Sequence, residues 1–281
     1  MALNINELVL DRVRSLTAHS INKENYGEML FRLTSLEDPN LACQAEGEEV
    51  VDAIGSLITT LYRAKKATFS ASNSLISLDL AAAQYGTKKE VASSAHKIKV
   101  PTYETITVAE GETTVTLKKK AAEEILHIYR IVEGEIATAY AASETETPSD
   151  KTFVFAFGDD LDCKTITLPT DFGAGKIYVD YVYEADGAEG VDGKPGNGAN
   201  QIVNKTSAFP ESCSMKIYAY FRDKCNDNIM YSGVIVADKA KLNPESVELA
   251  LTSTGKHPFE FQMMRDYCDE EANLFSIIVA E

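Results

Sequence analysis

The sequence lacks the cysteine spacing that is typical of a disulfide-bonded or zinc-binding protein, and it also lacks tryptophan. Its five cysteines are widely spaced, odd in number and without a CxxC pair. Reduced thiols in a protein made in the cytoplasm fit this pattern better than a disulfide framework or a zinc site. The missing tryptophan also removes the best stacking residue for carbohydrate binding, although tyrosine can replace it. The cysteines are Cys43, Cys163, Cys213, Cys225 and Cys268.

Long apolar runs are missing as well. No stretch approaches the roughly 20 apolar residues that a bilayer-spanning helix needs. The first residues, MALNINELVLDRVRS, have no basic region followed by an apolar stretch, so we expect no secretion signal. Together these absences predict a soluble protein that is made in the cytoplasm and has no membrane partner.

Positive charge is scarce relative to negative charge. The chain has 43 acidic and 27 basic side chains and a net charge of -16. Such a surface repels DNA and anionic lipid, whereas a conventional nucleic-acid-binding protein has a basic face. Two interpretations stay open: the charge provides solubility alone, or it prevents another polyanion from adhering.

Motifs for phosphate binding and nucleophilic catalysis are absent or incomplete. Gly193-Lys194 looks like the end of a P-loop, but five residues rather than four separate Gly187 from Gly193, and Pro195 follows the lysine. Proline also lacks the backbone N–H that would bind phosphate. The sequence has no GxSxG nucleophile elbow and no local Cys–His arrangement. We therefore expect no enzymatic activity, no catalytic residue and no bound cofactor.

Candidate metal ligands are present but unsuitably spaced. An EF-hand beginning at Asp223 would need glycine at its sixth position and glutamate at its twelfth, and it has neither. Asp and Asn dominate tight turns, so we interpret the acidic clusters as turns and the scattered histidines as structural residues. The sequence thus predicts no metal site. The clusters are Asp223–Asn228 and Asp159, Asp160 and Asp162, and the histidines are His19, His96, His127 and His257.

The first quarter of the chain mixes helical and strand patterns. Residues 4–17 have apolar residues near helical spacing, which predicts a short amphipathic helix or an arm that orders on contact with a neighbour. Met29–Ser35 predicts a strand, and Asp38–Asn40 predicts a turn after it. Glu48–Leu61 fits one face of a helix, although Gly55 weakens that interpretation.

A strand followed by a helix is the clearest local pattern. Strict alternation over Ala67–Ser72 predicts the strand. Leu75–Tyr85 then predicts a helix with Asn73 or Ser74 as its N-cap and Gly86 as its stop.

From Lys97 onward the pattern is mostly that of β-strands. Turn signals at Glu110–Glu112 and Val132–Glu135 separate the first of these strands. The glycine-rich segment 186–200 predicts a flexible loop or domain connection. Two strands flank the polar turn at 223–228, and further strands are predicted at VELALTST, KHPFEF and the terminal LFSIIV.

Two segments together resemble a known family. They are YRAKKATFSASNSLISLDLAAAQYG, a basic strand leading into a helix, and ADKAKLNPESVELALTSTGKHPFEFQMMRDYCDEEANLFSIIVAE, a series of strands. In these segments the chain resembles the major tail tube or major structural proteins of tailed bacteriophages that infect Gram-positive hosts. The resemblance covers roughly residues 25–95 and 200–281.

The resemblance implies a mainly β fold, with a β-sandwich or half-barrel core and one or two short flanking helices. The middle of the chain is longer than a minimal tube protein needs, which implies an inserted immunoglobulin-like β-sandwich. The expected divisions are an N-terminal arm or helix at 1–24, core parts at 25–96 and 191–281, and the inserted domain at 97–190.

The resemblance also implies how the protein works. Subunits would close into a ring, usually a hexamer, whose long hairpins line an inner β-barrel. Stacked rings would form a tube through which double-stranded DNA passes without specific binding. The expected partners are copies of the chain itself and other phage tail proteins. The expected location is the virion tail, after synthesis in the host bacterial cytoplasm.

Charge fits this expectation in one place and leaves it open in another. The acidic surplus suits a lumen to which DNA does not adhere. The basic stretch Tyr62–Lys66 either faces a neighbouring ring or is a solvated strand edge.

Two other functional classes stay open. One is another virion structural protein, either a major capsid protein or a capsid decoration protein. A capsid shell protein should have a long spine helix, and the sequence predicts no such helix. The other class is an adhesin-like or carbohydrate-binding module, in which residues 97–190 would bind glycans.

Overall fold

The computed structural model describes residues 7–159, 161–190, 196–224, 228–245, 247–252, 255–266 and 273–280. Over these residues the chain is mainly β, which confirms the predicted fold class. The elements are β1 (Leu8–Ser20), β2 (Met29–Leu33), β3 (Leu36–Val51), β4 (Leu57–Asn73), α1 (Leu78–Tyr85), β5 (Glu90–Val91), β6 (Ile98–Val108), β7 (Thr114–Thr116), β8 (His127–Val132), β9 (Glu135–Ala142), β10 (Thr152–Phe155), β11 (Thr165–Thr167), β12 (Gly175–Ala185), β13 (Asn200–Gln201), β14 (Ser212–Asp223), β15 (Met230–Leu242), β16 (His257–Met263) and β17 (Ser276–Ala280).

The chain forms two compact units. The first unit contains Met1–Lys89 and Ile202–Glu281, and the second contains Glu90–Gln201. The second unit is thus longer than the predicted inserted domain at 97–190. The extra residues belong to it because β5 and β13 pair with each other, Val91 with Asn200 and Glu90 with Gln201.

One antiparallel sheet builds the first unit. Its strand order is β2-β1-β14-β15-β16-β4-β3. β17 also pairs with β15, at residues 232–236, whereas β16 pairs with residues 240–242. The sheet curls far enough that β1 lies close to β3. Alternate side chains fill the interior, as in β14, because successive residues of a strand point to opposite faces. The largest buried side chains include Leu16, Met215, Ile217 and Phe261.

The single helix assigned among the described residues, α1, is tied to the sheet by polar contacts. Ser77 is its N-cap, and the Ser77 hydroxyl accepts a hydrogen bond from the Leu80 N–H. The helix therefore begins three residues later than predicted, whereas Gly86 ends it as predicted with φ of 67°. His257 is fully buried in β16. Its Nε2 lies 2.6 Å from Gln84 Oε1, and its Nδ1 accepts from the Ser77 N–H.

The second unit contains the β5–β13 pair and a seven-stranded sheet in the order β6-β12-β8-β9-β10-β11-β7. Its pairs are antiparallel except β9 with β10. The predicted hairpin at Val132–Glu135 is confirmed, and Gly134 has the positive φ that its turn requires. Inside the unit the Tyr181 hydroxyl donates to the buried Glu104 carboxylate at 2.5 Å, and the Lys118 N–H donates to the same oxygen. Burial and this carboxylate raise the pKa of Tyr181.

The helix predicted at 4–17 is wrong. Its described residues belong to β1, where β-bulges at Asp11 and Arg14 each add one residue to the strand. As a result Leu10, Val13 and Leu16 share one face although they are three residues apart. The two bulges therefore give the apolar residues of this strand a spacing close to that of a helix.

Three further local predictions are wrong. The helical face at Glu48–Leu61 is a hairpin that turns at Asp52–Ser56, where the Asp52 carboxylate accepts hydrogen bonds from two backbone N–H groups. The turn at Asp38–Asn40 is an irregularity inside β3, with φ of 50° at Asp38. The described part of VELALTST, residues 247–252, has no strand. The strands predicted at Met29–Ser35, at Ala67–Ser72, on either side of 223–228, at KHPFEF and at LFSIIV are confirmed.

Alanine at Gly86 should destabilise the protein more than alanine at Gly111. Both glycines have positive φ, but a Cβ at Gly86 would lie 2.2 Å from the Phe209 carbonyl oxygen, whereas a Cβ at Gly111 meets nothing within 4 Å. Backbone strain alone should cost Gly111→Ala about 1–2 kcal/mol. Gly86→Ala should cost about 3 kcal/mol or more, because overpacking adds to the strain. Urea unfolding followed by circular dichroism checks this, and equal losses would contradict it.

His257 should make stability depend on pH. Burial lowers the pKa of His257 in the folded state, so the unfolded chain binds a proton more readily. The His257 contribution is complete above the unfolded pKa of about 6.5 and is lost as the pH falls through the lowered folded pKa. The free energy of unfolding of the wild type should therefore fall more steeply below pH 6.5 than that of His257→Gln. Parallel pH profiles of the two proteins would refute this assignment.

Candidate assembly surfaces

The outer halves of β3 and β4 form a long ribbon, which we call the arm (residues 44–66). β4 pairs with β16 only over Ala67–Asn73. Beyond that point, within the described residues, the two strands pair only with each other. At about 3.3 Å per residue, the arm is roughly 35 Å long.

An irregularity at its root separates the arm from the sheet. Ala64 has φ of 48°, and the register between β3 and β4 shifts between Gln44 and Glu46. Bulges of this kind bend a strand and increase its twist. β4 therefore changes direction where its pairing with β16 ends.

Both faces of the arm are open to solvent. Cross-strand pairing places Gly47 beside Tyr62 on one face, and Glu48 beside Leu61 on the other. A Cβ at Gly47 would lie 3.3 Å from the Tyr62 ring, so glycine makes room for this ring. Ile54 at the tip is 87% exposed and Tyr62 is 74% exposed. The exposed apolar side chains of the arm are Val51, Ile54, Leu57, Ile58, Leu61 and Tyr62.

Residues 47–62, which we call the tip of the arm, are acidic. Residues 44–46 and 63–66, which we call its root, have charges of both signs. Residues 47–62 contain three acids, Glu48, Glu49 and Asp52, and no lysine or arginine. At the root, Lys66 Nζ lies 2.7 Å from Glu46 Oε1. This bond lowers the pKa of Glu46 and raises that of Lys66. The basic stretch of the sequence thus lies at the root of the arm.

Strands β1, β14 and β15 continue past the same end of β16 as the arm does and form a second surface, which we call the extension. It consists of residues 8–14 of β1, 218–223 of β14, 230–236 of β15, and β17. Among the described residues, no strand pairs with the outer edge of β17 or of residues 8–14. Ile277 and Ile278 are both more than half exposed, although they point to opposite faces of the extension. The extension therefore also ends in an uncovered edge.

One face of the extension has several cationic side chains, and we call it the cationic face. The guanidinium groups of Arg12 and Arg14 lie 5.6 and 5.7 Å from the centre of the Tyr220 ring. Arg222 Nε donates to Asp11 Oδ1 at 2.6 Å. The cross-strand register places Tyr218, Met230 and Ile278 on the same face.

The second unit has a row of three tyrosines, in which Tyr103 is exposed and Tyr178 and Tyr129 are half-buried. The Tyr103 and Tyr178 rings stack on each other, with centroids 5.4 Å apart and planes 23° apart. Tyr129 lies against Tyr178 at 6.2 Å. Rings that stack on one another offer edges rather than the flat platform that a sugar ring covers, so this row gives little support to glycan binding.

The second unit has a cleft of about 470 Å³. Lys97 and Glu184 at its wall pair with each other at 2.9 Å. The buried Cys163 thiol donates to the Gly158 carbonyl oxygen. Among the described residues of this wall, no pair of groups has the geometry of a nucleophile and its base.

Those candidate ligands from the sequence that the structure describes are not brought together. His19 lies 3.2 Å from the Gly27 carbonyl oxygen, His96 lies beside Glu90, and His127 begins β8. The Asp162 carboxylate accepts from the Thr165 hydroxyl and from two backbone N–H groups, as expected of a turn. In the described part of the chain, no three His, Cys, Asp or Glu side chains form a metal-binding group.

Some sequence predictions concern residues outside the described ranges. They include residues 4–6, Asp160, Gly193-Lys194, 225–227, 253–254 and Cys268. The described ends of the glycine-rich segment hydrogen-bond to each other, from the Gly187 N–H to the Asn197 carbonyl and from the Asn197 N–H to the Ala188 carbonyl. Backbone hydrogen bonds therefore hold the two described ends of the predicted flexible loop together.

Comparison with known proteins assigns no family. No protein-family model matches the chain, and no curated protein matches it significantly. In the ranges that the structure describes, no helix has the length and apolarity needed to cross a bilayer.

Hydrogen exchange should distinguish the arm from the body of the sheet. In the isolated subunit, amides of residues 47–62 should exchange at least about tenfold faster than those of 67–73, because only the latter segment lies between two other strands. Mass spectrometry of peptides from the two segments measures this difference. Equal protection would show that something in the subunit already covers the arm.

Proposed function

We propose that this chain is a structural subunit that assembles with copies of itself into rings, and that these rings stack into a hollow tube of the kind found in bacteriophage tails. The observation that carries this proposal is the arm, which pairs only with itself in the described residues and exposes apolar side chains on both faces. An isolated two-stranded ribbon is marginally stable in water. The arm therefore needs a partner to cover it.

Copies of the same chain are the partner that fits best. The arm has a free edge on each side, and strands with free edges pair readily with other strands. Pairing between unlike edges of successive copies is a head-to-tail contact, which generates a ring when the rotation closes. In such a ring the arms lie side by side as one continuous sheet.

The family resemblance supports the same conclusion. The segment 62–86 contains much of β4 and all of α1, and the segment 237–281 contains the end of β15, together with β16 and β17. β15, β16 and β4 are neighbours in the sheet. The two segments that resemble tail tube proteins thus form one continuous part of the first unit, from which the arm projects.

Passage of double-stranded DNA through the tube is part of this proposal. The net charge of -16 favours a wall that repels the phosphate backbone. Other tail proteins would then be the partners at the ends of the tube, and the virion tail would be its location.

Shortening the arm should abolish assembly while the body still folds. In this variant an Asn-Gly turn replaces residues 47–62 and joins Glu46 to Arg63, which face each other across the ribbon. Electron microscopy of the wild type should show rings or tubes about 100 Å across, an order of magnitude for six subunits of 30.7 kDa. The shortened protein should be a monomer in solution, and its far-ultraviolet circular dichroism spectrum should still be that of a β-sheet protein.

A point variant provides a matched comparison. Ile54→Ser with Ile58→Ser should weaken assembly, whereas Leu126→Ser with Ile136→Ser removes exposed apolar side chains from the second unit and should not. A wild type that stays monomeric at high concentration, or a shortened protein that assembles like the wild type, would contradict the proposal.

A further inference from the structure

We infer that the tip of the arm of one copy docks on the cationic face of a second copy. This inference rests on the proposed self-assembly and names the surface that receives the arm. It joins two uncovered surfaces of the first unit, one acidic and apolar, the other basic and apolar.

Charge complementarity is the first argument. The tip has Glu48, Glu49 and Asp52 with no basic residue between Gly47 and Tyr62. The receiving face has Arg12 and Arg14 on the Tyr220 ring, in a chain whose net charge is -16. A basic patch on so acidic a protein repels other copies less than the rest of the surface does, and it attracts their acidic segments.

The arginines are also held in place. The side chain of Asp11 lies between Arg12 and Arg222, at 3.7 Å from Arg12 Nε and 2.6 Å from Arg222 Nε. At the border of the face, Lys224 pairs with Glu7. Two cations stacked on one ring lose less side-chain freedom on binding than cations on free stems.

Apolar complementarity is the second argument. Val9, Met230 and Ile278 are each about half exposed on the cationic face. The tip offers Ile54, Leu57 and Ile58. Contact between the two surfaces removes apolar groups of both from water, which charge pairing alone would not do.

The occupant is a second copy rather than the same chain or a nucleic acid. The arm is exposed in the subunit, so its own cationic face does not cover it. A nucleic acid would neutralise the arginines but would leave the apolar tip of the arm in water, and the rest of the acidic surface would repel it. A second copy satisfies both surfaces at once.

A charge-exchange experiment tests the inference. Arg12→Glu with Arg14→Glu reverses the receiving face, and Glu48→Lys with Glu49→Lys reverses the tip. At about 0.15 M salt, each double variant should need at least about tenfold more protein than the wild type for assembly, measured by light scattering. The four substitutions together should restore assembly to within about threefold of the wild type, because the pairing is re-formed with exchanged signs.

Control variants separate docking from folding and from net charge. Lys151→Glu with Lys176→Glu makes the same change in net charge in the second unit and should assemble like the wild type. Arg12→Gln with Arg14→Gln introduces no carboxylate beside Asp11. Its assembly should be weaker than that of the wild type but stronger than that of Arg12→Glu with Arg14→Glu. Circular dichroism of every variant should match that of the wild type.

The possible outcomes are distinct. A combined variant no better than the worse double variant would overturn docking, as would assembly that neither double variant changes. Micromolar binding of a 30-base-pair duplex that Arg12→Glu with Arg14→Glu abolishes, without effect on assembly, would assign the face to nucleic acid instead. A monomeric wild type would refute the proposed function itself, whereas rings from all variants alike would refute only the docking.

Discussion

A two-stranded ribbon has no second layer to cover its side chains, and this constraint governs the rest of the molecule. No strand of the described part of the chain pairs with the outer edges of the arm, and the apolar side chains of the arm face water. Neither condition is stable for a long ribbon in isolation. The chain retains both features because, in our account, neighbouring copies complete the ribbon.

The body of the first unit fixes where the arm begins. β16 lies beside the inner half of β4, and His257 and Gln84 tie α1 to β16. The pairing of β4 with β16 therefore ends at Ala67, and the irregularity at Ala64 lies in the root of the arm. An arm that starts from a well-packed sheet has a defined direction, which lowers the ordering cost when a second copy covers it.

Sequence patterns predicted the strand-rich fold and the clearest local elements, but they missed the arm itself. Ala67–Ser72 and the stop at Gly86 were predictable because strict alternation and a left-handed cap are local signals. The apolar residues of β1 and of the arm were read as helical because bulges and a tight turn change the spacing from two to three or four. The cationic face was not predictable, since its residues come from four strands, β1, β14, β15 and β17, and meet only through the sheet register.

A three-dimensional reconstruction of the assembled protein by electron cryomicroscopy tests the central claim most directly. The account predicts closed rings in which every arm has strands from neighbouring copies along its edges. A reconstruction in which copies touch only through the second unit, with the arms projecting uncovered into solvent, would contradict it.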